Sequence, residues 1–284
     1  MAETVQADVT QAELEALGLV WPPTQDELPY DDGMPMESQR HVMQLQLLMD
    51  PLRLLWEGRQ DVYIGGNMFV YYSLAQVRNK DFRGPDFFVA LDVPKRERKS
   101  WVIWEEGKGP DVVIELLSAS TAAQDKGEKK DIYQDRIRVP EYFWFDPLNG
   151  EWAGFIIQHR RYVPIEEDNQ GRLLSQTLGL ALVRWEGVYQ EVEARWLRWA
   201  TLSGALLPTP QEVAVETQRQ ATEAQHQATE AQRQAIEAQR QAIEAQRQAI
   251  EAQRQQATLE ALLARYREHF GDLPDTEGRS DTGR

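Results

Sequence analysis

Three acidic residues in this 284-residue chain stand where carboxylates are chemically conspicuous. Two follow prolines, in Pro85-Asp86 and Pro110-Asp111, and the third, Glu115, sits inside the apolar run VVIELLS. A Glu flanked by Val113, Ile114, Leu116 and Leu117 is costly to bury unless it is paired, protonated or bound to a cation. Two carboxylates that share a magnesium ion must bring oxygens to about 2.1 Å from it. Asp111 and Glu115 lie four residues apart on one strand, about 13 Å at 3.3 Å per residue, which is too far. Asp86 begins a separate stretch, Asp86–Leu91, that can lie beside Val112–Leu117 and bring its carboxylate to Glu115. Asp111 then reads as a strand-start residue.

Composition narrows the chemistry. Cys is absent and His occurs four times, which removes thiol nucleophiles, disulfides and Cys-based zinc sites, so a metal must be held by oxygen. The net charge of −15 lies mainly in residues 1–211, so any action on nucleic acid needs a local basic patch and a cation that offsets the carboxylates. The densest positive segment is Lys95, Arg96, Arg98 and Lys99, which reads either as phosphate contacts or as a solvated hairpin tip. Ser118, Ser120 and Thr121 either donate to a phosphate or cap the following helix. The consecutive aromatics Tyr142, Phe143, Trp144 and Phe145 read as a buried strand rather than a base-stacking platform. With no basic, apolar leader and no run of about 18 apolar residues, the expectation is a soluble, cytoplasmic protein without membrane association.

The elements that must position these residues follow from periodicity. Apolar residues at Val42, Leu45, Leu48, Met49, Leu52 and Leu55 predict a helix over His41–Trp56. Strands are predicted at Val62–Ile64, Phe69–Tyr72, Phe87–Leu91, Trp101–Trp104, Val112–Leu117, Tyr142–Phe145, Trp152–Gln158 and Tyr162–Ile165, with a helix over Lys126–Arg138. Helix, strands, helix and strands in that order indicate a mixed α/β (α+β) layered domain. Further on, QRQAIEA recurs at 232–238, 239–245 and 246–252, and no Gly or Pro interrupts Val215 to Arg267, so one long helix is expected there. Ile236, Ile243 and Ile250 recur every seven residues, and Ala235 and Ala238 offer a second seam of small residues. Either self-association along residues 215–267 or a solvated single helix fits this pattern.

Residues 84–147, including PDVVIELLS, DKGEKKDIY and VPEYFWFDP, resemble the Uma-two family of bacterial endonucleases within the PD-(D/E)XK restriction-endonuclease-like superfamily. The resemblance extends over roughly residues 36–205. It implies a restriction-endonuclease-like core, a magnesium cofactor that manganese can replace, and DNA as substrate. The superfamily pattern places Asp86 as the first acid and Glu115 as the second, with a lysine two residues on; here that position holds Leu117. By resemblance the lysine has moved to the next helix, where the spacing K-x-x-x-Y singles out Lys129, one helical turn before Tyr133. Related nucleases bring a Glu from the first helix to the metal, which implicates Glu37 as a third carboxylate; a Glu favoured by the helix dipole is the plainer reading. His41 reads equally as a surface, capping or functional residue.

The expected organisation is an N-terminal arm at 1–35, a nuclease domain at 36–210, a heptad helix at 211–270 that forms homo-oligomers, and a disordered tail at 271–284. The expected activity is magnesium-dependent hydrolysis of DNA phosphodiesters by Asp86, Glu115, Lys129 and Glu37, with Lys95, Arg96, Arg98, Lys99 and Ser118 as phosphate contacts. The alternative is a catalytically silent binding or scaffold protein that uses a nuclease-like fold and a coiled-coil helix for assembly.

Overall fold

The computed structural model describes Ala16 and residues 22–28, 38–73, 81–118 and 121–271. It divides into two compact units, Met1–Val213 and Ala214–Arg284. The first unit opens with α1, Gln39–Leu55, whose N-terminus is closed by Ser38 accepting from the His41 amide. Strands β1 (Val62–Gly66), β2 (Val70–Tyr71), β3 (Phe82–Arg83), β4 (Phe87–Leu91) and β5 (Trp101–Val102) follow, then a helical turn, α2, at Ile103–Glu106. β6 is Val112–Leu116, and a continuous helical segment, α3, runs over residues 122–137. It is followed by β7 (Glu141–Phe145), β8 (Trp152–Gln158), β9 (Arg161–Ile165), β10 (Leu173–Ser175), β11 (Leu180–Tyr189) and β12 (Val192–Thr201).

The main sheet has the order β1-β4-β6-β7-β8-β9. β6 and β7 are parallel, joined by α3 as the crossover, and the other pairs are antiparallel. Both faces are covered, so the central strand β6 is apolar on both sides apart from Glu115. Val112, Ile114 and Leu116 pack with Leu48 and Leu52 of α1 and with Leu182, Leu197 and Trp199 of β11 and β12. Val113 points the other way, into a core with Phe88, Tyr133, Ile137 and Tyr142. Glu115 shares the parity of Val113 and therefore faces α3.

The second sheet, β10-β11-β12, was not anticipated from the sequence. Its long hairpin turns at Gln190-Glu191, with φ of 46° and 65°, where a tight turn of this kind would ordinarily carry Asn-Gly. The β8–β9 turn does the same with His159 and Arg160, at 51° and 67°. Trp101–Trp104 is also corrected: only Trp101–Val102 is extended, and Ile103–Glu106 coils into α2, ended by Gly107 at φ 75°. Of the expected N-terminal arm, the described segment 22–28 docks rather than extends. Leu28 is buried with Tyr71 and Val102, and the Gln25 amide donates to Glu105.

The helix α4, Pro210–Phe270, begins with a capping box: the Glu212 amide donates to Thr209 Oγ1, and the Thr209 amide donates to Glu212 Oε2. Within the second unit Ile236, Ile243 and Ile250 are each about half exposed.

Candidate active site

Three elements bring Asp86, Glu115 and Lys129 together. β4 and β6 pair with Phe87 opposite Ile114 and Phe88 opposite Val113. One step further along that register sets Asp86 opposite Glu115, with both side chains on the α3 face. The Asp86 amide donates to Glu115 Oε2 at 3.3 Å, and the Leu116 amide donates to Asp86 Oδ2 at 2.7 Å. Each acid is thus held by the backbone beside the other.

Glu115 is fully buried, while Asp86 is half-buried. From α3 the Tyr133 hydroxyl donates to Glu115 Oε1 at 2.7 Å, and Lys129 Nζ lies 3.5 Å from Oε2. The four-residue step from Lys129 to Tyr133 puts both on the face toward the sheet, as the K-x-x-x-Y spacing suggests. Lys130, the next residue, instead places its ammonium 4.1 Å from the centre of the Phe155 ring.

Sequence reasoning missed Asp125. It is buried at the start of a π-helical stretch, Asp125–Lys129, and its Oδ1 lies 2.6 Å from Lys129 Nζ. The available signal was a second four-residue step: Asp125, Lys129 and Tyr133 form one series. His41 also reaches this region, with Nε2 3.3 Å from the Leu116 carbonyl and Nδ1 2.8 Å from Ser38 Oγ. Glu37, Ser120 and the tail from residue 272 lie outside the described residues.

Electrostatically the site is a crowd of acids around one base. Burial pushes the Glu115 carboxyl well above the ordinary range; Lys129 opposes this, and Asp86 and Asp125 reinforce it. Burial also raises Asp86, against the Leu116 amide, Lys129 and a hydrogen bond with Glu115. For Lys129 burial works against the ammonium, but Glu115 and Asp125 outweigh it, so its proton is held more tightly than usual. Tyr133 and Tyr142 are pushed well above the usual phenol range by burial first and Glu115 second, so both are neutral donors.

The remaining sequence candidates lie apart. Asp111 accepts from the Leu91 amide and pairs with Lys108 Nζ, both at 2.7 Å, which is a strand-start role. Arg98 corrects the reading of the basic cluster as phosphate contacts. Its guanidinium is buried against Tyr63 and Trp101, with Glu106 at 2.7 Å, because a planar cation can be desolvated when stacked and paired. Arg96 pairs with the same Glu106 and Lys99 with Asp26, while Lys95 is exposed. Ser118 and Thr121 bond reciprocally at the head of α3, the Thr121 amide donating to Ser118 Oγ at 3.2 Å and the Ser118 amide to Thr121 Oγ1 at 3.3 Å.

Among the described residues, no three His, Cys, Asp or Glu side chains are grouped to hold a metal ion. Two converging carboxylates nevertheless suit magnesium, which is commonly held by one or two carboxylates with waters and substrate phosphates completing its shell. No helix of the described residues is long and apolar enough to cross a membrane.

Residues 19–188 match the sequence model of the Uma2 family, described as "Putative restriction endonuclease". Among solved structures, a "putative nuclease belonging to DUF820" from Anabaena variabilis ATCC 29413 is similar, with 15% identity and a TM-score of 0.39, over 55% of this chain and 90% of that one. No curated protein matches the chain.

Proposed function

The chain belongs to the Uma2 family, and on that premise we propose that it is a magnesium-dependent endonuclease that hydrolyses DNA phosphodiester bonds. The observation that carries the reading is the meeting of Asp86, just before β4, with Glu115 of β6 and Lys129 of α3 on one face of the main sheet. Asp86 and Glu115 would hold the cation. When bound, the ion supplies a Lewis acid at the phosphoryl oxygen and makes a coordinated water more acidic. Tyr133 fixes Glu115 Oε1, which leaves Oε2 turned toward Asp86 and Lys129. Lys129, cationic throughout the neutral range, orients the attacking water and offsets the charge that grows on the phosphoryl oxygens. Its place on α3 serves the role that the superfamily pattern gives to a lysine at the position of Leu117.

The test is cleavage of supercoiled plasmid with magnesium or manganese. Wild-type protein should nick or linearise the DNA, and Glu115→Ala should not. Equal cleavage by both proteins would mark a contaminant, and cleavage by neither under either metal would overturn the reading.

The same proposal gives α4 an assembly role. Its exposed Ile236, Ile243 and Ile250 and the alanines beside them form the contact between copies of the chain.

A further inference from the structure

Asp125 has the least expected environment near the site. It is 1% exposed, and neither carboxylate oxygen has a well-aligned hydrogen-bond donor among the described residues. Burying such a group is unfavourable unless a charge compensates it, and the compensating charge is Lys129 at 2.6 Å. Its backbone is held firmly, the Asp125 amide donating to the Thr121 carbonyl at 2.9 Å and the Tyr142 hydroxyl to the Asp125 carbonyl at 2.8 Å. The carboxylate is therefore presented from a fixed point, while the lysine stem is the flexible partner.

Two distances give its effect. Lys129 Nζ lies 2.6 Å from Asp125 but 3.5 Å from Glu115 Oε2, beyond direct hydrogen-bond contact. An ammonium without Asp125 would move onto Glu115 and Asp86 and occupy the place where a cation must bind. We infer that Asp125 is a positioning residue that holds Lys129 off the Asp86–Glu115 pair and keeps that pair open for a divalent cation. This rests on the proposed metal-binding role of the pair, and it assigns Asp125 no ligand role.

Asp125→Asn keeps the side-chain shape and removes the charge. In a metal-free crystal structure of this variant, Lys129 Nζ should move from 3.5 Å into direct contact with Glu115. An ammonium that stays in place would overturn the inference, whether or not the protein is a nuclease. Manganese binding without DNA, read from the loss of the free-ion paramagnetic resonance signal, supplies the second arm. Asp125→Asn should weaken binding about tenfold or more, the scale for residues that orient a metal site from behind. In a Lys129→Met background the same change should have no further effect. An equal loss in both backgrounds would make Asp125 a ligand or a general structural residue and refute the positioning role. Absence of manganese binding in the wild type would instead count against the proposed function, leaving the crystallographic arm to decide the inference.

Discussion

Replacing Glu115 with Gln should raise the stability of the fold while abolishing cleavage. Asp86, Glu115 and Asp125 surround a single ammonium, so any charge that Glu115 takes on adds to an excess of buried acids over bases. The substitution removes one of these acids without orphaning Lys129, which keeps Asp125 at 2.6 Å. It forfeits an attraction of about 5 kcal/mol between Glu115 and Lys129 at 3.5 Å, taking an effective dielectric constant of about 20. Against that stand the desolvation of a fully buried carboxylate, several kcal/mol, and its repulsion from two neighbouring acids. The Tyr133 hydrogen bond survives on the amide oxygen, while the new NH2 group replaces Oε2 and forfeits only the long 3.3 Å bond from the Asp86 amide. The expected net gain is on the order of 1–3 kcal/mol at pH 8. Its sign with pH follows from linkage. Because the folded carboxyl titrates above its ordinary 4.5, its contribution is fully favourable below that value and is lost as pH rises through the raised folded value. The advantage of Glu115→Gln should therefore be largest at alkaline pH and shrink toward pH 5. Urea unfolding of both proteins from pH 5 to pH 9, beside plasmid cleavage, measures this. A variant less stable than wild type at pH 8, or a difference that does not change with pH, would refute the electrostatic reasoning.

Lys129→Met should lower cleavage about a hundredfold or more and leave the surrounding carboxylates unopposed, at a stability cost of about 3 kcal/mol. Lys130→Met, which removes only the contact over Phe155, should cleave like wild type; equal losses from the two lysines would reduce Lys129 to a general basic surface. Asp111→Asn should cost about 1–3 kcal/mol through its bonds to the Leu91 amide and Lys108, with cleavage per folded molecule unchanged; thermal unfolding paired with an activity titration separates the two effects. Changing Ile236, Ile243 and Ile250 together to Glu should reduce the solution mass to that of one chain in sedimentation equilibrium. An unchanged mass would remove α4 from assembly.

What was legible in the sequence depended on how local the determinant is. Glu115 stood out because a charge inside an apolar strand is conspicuous, and the parity of β4 and β6 then carries Asp86 to its side. For Lys129 the family resemblance pointed to the helix after β6, and the four-residue offset from Tyr133 distinguished it there from Lys130. Asp125 was hidden among the acids of DKGEKKD, because nothing in that string distinguishes a buried carboxylate from the exposed Asp131 beyond the same offset. Arg98 misled because a run of basic residues reads as solvated, whereas its guanidinium is stacked and paired with Glu106, on a helical turn whose first two residues, Ile103 and Trp104, read as strand. The β11–β12 hairpin escaped notice because its turn residues, Gln190 and Glu191, take left-handed conformations without the usual Gly or Asn.

The α1 residue Gln44 carries one more consequence. Its side-chain amide donates to the Leu197 carbonyl and accepts from the Leu197 amide, both at 2.8 Å. β12 is an outer strand of its sheet, and these are groups that its neighbour β11 leaves unmatched. A buried carboxamide thus does the work of an additional strand at one point. Wherever α1 lifts away, the β12 edge around Leu197 is bared and can recruit a strand from another molecule, while its end at Trp199–Thr201 stays paired with Ala205–Leu207. The docking of that first helix is thereby a guard against aggregation as well as a wall of the core.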